Sequence, residues 1–156
     1  MTEPRWLDDR EQCAWRAYQH MQRDLAAALE RQLTRDSALS GADYELLVVL
    51  SETEGHRLRA RELRNAVRWD RSRLAHQVRR MENRGLLRRT ECETDARGTM
   101  VELTDAGRAA IEAAAPGHVE TVRRYFVDLL DAEETATLRA VAERVVRRIH
   151  ADDEEC

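Results

Sequence analysis

One segment constrains the fold of this chain more than any other. Residues 69–98 read WDRSRLAHQVRRMENRGLLRRTECETDARG and run directly into TMVELTDAGR. Asp70 is a good N-cap, and Leu74, Val78 and Met81 recur at spacings of four and three, which marks one buried face of a helix. Arg73, His76, Gln77, Arg80 and Arg84 fall on the other side. Gly85 supplies the left-handed residue that closes such a helix. Two strands are expected next, Leu87–Glu93 and Thr99–Leu103, with Val101 and Leu103 turned inward. The Asp95-Ala96-Arg97-Gly98 stretch is read as the tight turn between them. A narrow-faced helix followed at once by a hairpin belongs to a small, mainly helical lobe.

The flanks read as helices. The first is expected from Leu7–Asp9 to about Leu33, with Trp15, Tyr18, Met21, Leu25, Leu29 and Leu33 on one face. Ser40 and Asp43 resemble a capping box for a second helix to about Ser51, whose Leu46-Leu47-Val48-Val49-Leu50 centre is apolar all round and so expected to be buried. Gly55 stops it, and Leu58 is placed in a short strand beside the hairpin. A third helix is expected over Ala60–Val67. Thr104-Asp105-Ala106-Gly107 opens a fifth, which Pro116-Gly117 interrupts or kinks before it resumes from about His118 to Leu130. Asp131 and Glu134 cap a last helix carrying Leu138, Val141, Val145 and Ile149, and the acidic tail Asp152–Glu155 is expected to fray. The terminal helices hold more apolar stripe than one small lobe can use, which points to a homodimer.

Charge distribution says what the lobe meets. All 26 basic residues are arginine and the net charge is −4. From His56 to Gly98, however, 13 arginines stand against 6 acidic residues, whereas the rest of the chain has 13 against 24. A basic block inside an acidic chain is the footprint of a localised phosphate-binding surface. Arginine's planar fork also suits guanine edges. Catalysis finds no support, because nucleophile-elbow, HExxH and glycine-rich phosphate-loop patterns are missing. The three cysteines (Cys13, Cys92, Cys156) lack metal-ligand or disulfide-framework spacing. With no cofactor motif, apolar span or leader segment, the expectation is a soluble, cytoplasmic, nucleoid-associated protein that is not an enzyme and has no membrane or metal partner.

Taken together, several motifs resemble the MarR (multiple-antibiotic-resistance regulator) family of bacterial transcription factors. They are Ser40-Gly41-Ala42-Asp43-Tyr44-Glu45-Leu46-Leu47-Val48-Val49-Leu50, Arg61-Glu62-Leu63, Asp70-Arg71-Ser72-Arg73-Leu74 and Arg80-Met81-Glu82-Asn83-Arg84-Gly85-Leu86-Leu87-Arg88-Arg89. Asp95-x-Arg97-Gly98 and Leu103-Thr104-Asp105-Ala106-Gly107 complete the set. The resemblance implies a mainly α, winged helix-turn-helix fold with a small β-hairpin wing and long N- and C-terminal dimerisation helices. The corresponding division is residues 1–36 for dimerisation, 37–107 for the DNA-binding lobe and 108–156 for further dimerisation helices. It also implies a homodimer on a pseudo-palindromic double-stranded operator.

Site residues follow from both readings. Arg73, His76 and Gln77 are candidates for base contacts; Arg71, Ser72 and Arg80 are candidates for phosphates. Arg97 is placed to probe a minor groove past the small Ala96, and the resemblance gives Asp95 the task of orienting an arginine. The family's response to small aromatic acids or phenols implies a cavity near Trp15, Arg16, Tyr18, His20, Tyr44, His118 and Arg123. The function expected is a dimeric regulator, a repressor released by an aromatic or phenolic effector. Two alternatives stay open: a thiol-based redox sensor acting through Cys13, and a winged-helix protein-interaction module without operator specificity.

Overall fold

The computed structural model describes the backbone of residues 4–92 and 95–154, and the side chains in those ranges except at 91–97, 153 and 154. Among the described residues the order is α1 (Asp9–Ser37), α2 (Gly41–Glu52), β1 (Arg57–Arg59), α3 (Ala60–Val67), α4 (Arg71–Asn83), β2 (Leu87–Cys92), β3 (Asp95–Leu103), α5 (Asp105–Tyr125) and α6 (Ala132–Glu154). The chain divides into two compact units, Met1–His118 and Val119–Cys156.

Caps fix where the helices begin. Asp8 and Glu11 exchange hydrogen bonds at 2.8 and 2.9 Å and start α1. Ser40 and Asp43 do the same for α2 at 3.0 and 2.8 Å, and Asp70 accepts from the Arg73 amide at 2.8 Å to start α4. Each reciprocal pair satisfies two N–H groups that a helix end otherwise leaves orphaned. α1 outruns its expected end at Leu33 by a turn. It stops where Ala38 turns left-handed (φ 52°) and delivers Leu39 into the core.

The core of the first unit gathers Leu46, Leu47 and Leu50 of α2, Leu63 and Val67 of α3, and Leu74, Val78 and Met81 of α4. Leu87, Val101 and Leu103 of the sheet join them, with Ile111 of α5. Val48 and Val49 are only half-buried, so α2 is not enclosed all round as its composition suggested. α3 and α4 form the helix-turn-helix. Arg68 (φ 53°) makes the left-handed turn between them.

The sheet is antiparallel in the order β1-β3-β2, with Leu58 opposite Val101 and Arg88 opposite Glu102. β3 begins at Asp95, and Cys92 pairs with Asp95. Asp95–Gly98 is therefore strand rather than the turn expected there. A tight junction ties α4 to α5. The Thr104 hydroxyl meets the carbonyls of Gly85 and Leu86 at 2.6 and 2.9 Å and accepts from the Gly107 amide at 3.0 Å. A Cβ on Gly107 would lie 2.1 Å from the Leu86 carbonyl oxygen. The Leu-Thr-x-x-Gly motif thus has a physical cause: the glycine admits a backbone the threonine holds.

α5 runs unbroken through Pro116 to Tyr125, correcting the expected interruption. A helix can absorb one proline at the loss of a single backbone bond. The segment after it, Val127–Leu129, is a 3-10 turn. In the second unit Asp131 and Glu134 form a capping box at 2.8 and 2.9 Å, and α6 is helical from Ala132 to Glu154. Among the described residues no helix is long and apolar enough to cross a membrane.

Candidate nucleic-acid interface

Helix α4 offers a cationic face because Leu74, Val78 and Met81 are buried and, Gln77 apart, the positions on its other side are exposed. Arg71, Ser72, Arg73, His76 and Arg80 are exposed, as is Arg79, which the sequence reading left out. The Arg73 guanidinium lies 4.2 Å from the ring centroid of Trp69, a cation–π contact that restricts its sweep. Trp69 is itself buried, so the arginine rests on a fixed platform.

Gln77 departs from its expected place. It is 4 % exposed, and its amide nitrogen donates to Asp43 Oδ1 at 2.6 Å. Its carbonyl oxygen accepts from Arg80. The helical wheel puts residue 77 at the border between the two faces, and a buried carboxylate on α2 draws it inward. In this arrangement the amide holds other residues and does not face a groove. Arg84, assigned to the outer face, is drawn the same way: it reaches Asp43 Oδ2 and the Ala38 carbonyl, each at 2.7 Å.

Beside α4 lies a concavity of about 730 Å³ bounded by α3, α4 and the wing. Arg59, Arg61, Arg64, Arg71 and Arg89 line it together with Gly98, and none of the described residues lining it is acidic. Arg89 is anchored to Glu82 at the end of α4 (Nε–Oε2 2.9 Å), and Arg88 to Glu102 across the ladder (2.7 and 3.0 Å). The hydrogen bonds from Arg89 and Arg88 hold the Glu82 and Glu102 carboxyls below the ordinary glutamate range. Apart from Arg71, these groove arginines were counted in the basic block but not singled out. Their shared signal was the block itself. The side chains of Asp95 and Arg97, both singled out, lie outside the described residues.

A second concavity, of about 480 Å³, is set between α1, α2 and the end of the first unit. Tyr44 and His118 meet there with ring centroids 4.2 Å apart, beside Ala26, Leu29, Leu33, Val48 and Val49. Glu30 and Glu45 also line it. His118 Nδ1 is 3.2 Å from Gln32 Oε1, while the Gln32 amide nitrogen donates to Asp36. The glutamine oxygen is then an acceptor, which assigns the proton to Nδ1. Burial pushes the His118 pKa down and those of Glu45 and Tyr44 up. Arg73 partly offsets the rise at Glu45, and Glu52 adds to that at Tyr44. Of the other expected effector residues, Trp15, Arg16 and His20 are exposed on α1 and do not line this cavity. Trp15 stacks on Tyr18 at 5.7 Å. Arg123, in the second unit, pairs with Asp128. Cys13 is a free, exposed thiol on α1.

A capped, arginine-faced helix in a helix-turn-helix, followed by a hairpin that walls a basic groove, defines a winged helix DNA-binding protein. Residues 39–99 match the MarR family model. The transcriptional regulator PecS of Dickeya dadantii is 30% identical over 112 residues, 71% of this chain and 67% of that protein. Two solved structures from Streptomyces coelicolor are closer in sequence. AbsC, a MarR family regulator, is 42% identical with a TM-score of 0.92, covering 95% of this chain and 99% of its own. Sco3205, a MarR family regulator solved in complex with DNA, is 41% identical with a TM-score of 0.90, covering 92% and 90%. The chain belongs to the MarR family of transcriptional regulators.

Proposed function

We propose that the protein is a homodimeric, operator-binding repressor. The observation that carries this reading is the arginine-lined concavity between α3, α4 and the wing. Its width is bounded on one side by the recognition helix α4, whose Arg73 and His76 read bases in a major groove, with Arg71, Ser72 and Arg80 on phosphates. The wing, with Asp95 and Arg97, lies along the adjacent minor groove. The solved DNA complex of Sco3205 supports DNA as the partner. Two lobes of a dimer would engage successive major grooves ~34–36 Å apart on a pseudo-palindromic site.

The Tyr44–His118 cavity is the place for an effector. Its apolar walls fit an aromatic ring, and a phenol hydroxyl could bond Tyr44, His118 or Glu45. Because Glu30 and Glu45 flank it, a neutral phenol fits better than an aromatic carboxylate. Binding would release DNA by favouring a lobe spacing mismatched to the grooves.

The test is a salt titration of binding to labelled duplex from the region upstream of the protein's own gene. The expected result is a linear fall of log K with log[salt], steep in proportion to the phosphates contacted (slope about −0.9 per contact). Failure to form any saturable complex at ~50 mM salt, where phosphate contacts are strongest, would overturn the reading.

A further inference from the structure

Beneath the DNA-facing surface sits a polar network that neither the family match nor the sequence motifs assign. Asp43 is 3 % exposed, an ionisable side chain enclosed in the core. Its Oδ1 accepts from the Gln77 amide at 2.6 Å, and its Oδ2 accepts from Arg84 at 2.7 Å and from the Ser40 amide at 2.8 Å. Gln77, almost as buried, passes the connection on, since its carbonyl oxygen accepts from the Arg80 guanidinium. Arg84 also reaches the Ala38 carbonyl at 2.7 Å, between α1 and α2. One carboxylate therefore ties the start of α2 to both the middle and the end of the recognition helix.

Capping α2 does not require this. A capping box needs only the Ser40–Asp43 exchange, and an exposed N3 residue serves as well. Enclosing a carboxylate is costly unless its oxygens are fully used. Here, besides the cap, they are used on two residues of the recognition helix. Gln77 lies one helical turn from Arg80, so its oxygen can hold the guanidinium in a single direction. An unrestrained arginine instead loses rotamer freedom when it meets a phosphate.

We infer that Asp43 and Gln77 are positioning residues for DNA binding: the Asp43–Gln77–Arg80 relay presets Arg80 for a phosphate, and Asp43–Arg84 locks the far end of α4. This rests on the DNA-binding reading of α4. Gln77 orients Arg80 through its oxygen alone, so an apolar residue of similar size removes the aim without removing the charge. Asp43 orients Gln77 in turn, because an amide held at its nitrogen presents its oxygen in a fixed direction.

The experiment is a double-mutant cycle on the full-length protein with the same upstream duplex, using Gln77→Leu, Arg80→Ala and the pair. Gln77→Met serves as a second, more pliable replacement, and thermal melts confirm that each variant is folded. Arg80→Ala is expected to lower the salt slope by about one unit, as the loss of one phosphate contact does. Gln77→Leu and Gln77→Met should reproduce most of that change although the arginine is still present, and the double variant should bind no worse than Arg80→Ala. A role confined to stability would lower the melting temperature and leave the slope alone. The inference is overturned if the Gln77 variants keep the wild-type slope, if the two losses simply add, or if Arg80→Ala leaves the slope unchanged. Wild type that binds while these variants behave like it counts against the relay only. Wild type that does not bind removes the DNA-binding reading and the relay with it.

Discussion

Gly107 and His118 show how single residues carry the architecture. The Leu86 carbonyl oxygen would be 2.1 Å from a Cβ at position 107, and that oxygen belongs to backbone, which cannot swing aside. Gly107→Ala should therefore cost about 1–3 kcal/mol despite alanine's better helix propensity. Urea denaturation would read this, and an unchanged or raised midpoint would refute the close approach. His118 sits against Tyr44 and Gln32, with Glu30 and Glu45 on the same cavity wall. Burial lowers its pKa from the ordinary 6.5. The folded state therefore takes up a proton less readily than the unfolded chain. The contribution is fully present above about pH 6.5 and is lost as pH falls through the folded value. Comparing wild type with His118→Gln at pH 7.5 and 5.5, the variant should lose less stability on acidification. Equal losses would show that His118 is not the group responsible.

At the scale of elements, the recognition helix depends on its first residue as much as on its face. Asp70 caps α4 through the Arg73 amide. Asp70→Ala should cost roughly 0.5–2 kcal/mol, with Asp70→Ser or Asp70→Asn recovering most of it. Chemical denaturation of the three variants would check this, and an alanine variant as stable as wild type would sink it. Such local chemistry is what the sequence displays well. The caps at Ser40 and Asp70, the short strand at Leu58, α3 and the alternating Val101 and Leu103 all follow from neighbours within a few residues. The errors come from partners far along the chain. Gln77 turned inward because Asp43, 34 residues away, needed a donor. Arg84 was drawn to the same carboxylate from 41 residues away. The basic groove was legible only as a block, because Arg59 and Arg89 become neighbours in it through the pairing of β1 and β2 on either side of β3. Helical periodicity placed Trp15 and Tyr18 on the same face as Leu33 without saying what covers them. In the described chain they lie exposed on α1, whose buried residues are Gln32 and Leu33.

For the molecule as a whole, the exposed apolar surface is the observation that bears on the proposed dimer. In α6, Leu138, Val141, Val145 and Ile149 form one stripe, and each is between 37 % and 54 % exposed. None of the described residues of α6 is buried. On α1 of the other unit, Trp15, Tyr18 and Met21 are exposed as well. A stripe of this kind in water forgoes roughly half of the ~1.5–3 kcal/mol that full burial of each large aliphatic side chain contributes. A second copy of the chain could cover the α6 stripe. Val145→Asp places a carboxylate in the middle of that contact, where desolvation opposes it. The variant should sediment as a monomer at micromolar concentration, and its melting temperature should fall below that of wild type and no longer depend on protein concentration. It should also lose most of its affinity for a full operator. Each lobe would then bind alone, without the effective concentration that a joined partner supplies. Its affinity for an isolated half-site should change little, because α4 and the wing are untouched. A Val145→Asp protein that stays dimeric with full operator affinity would place the interface elsewhere.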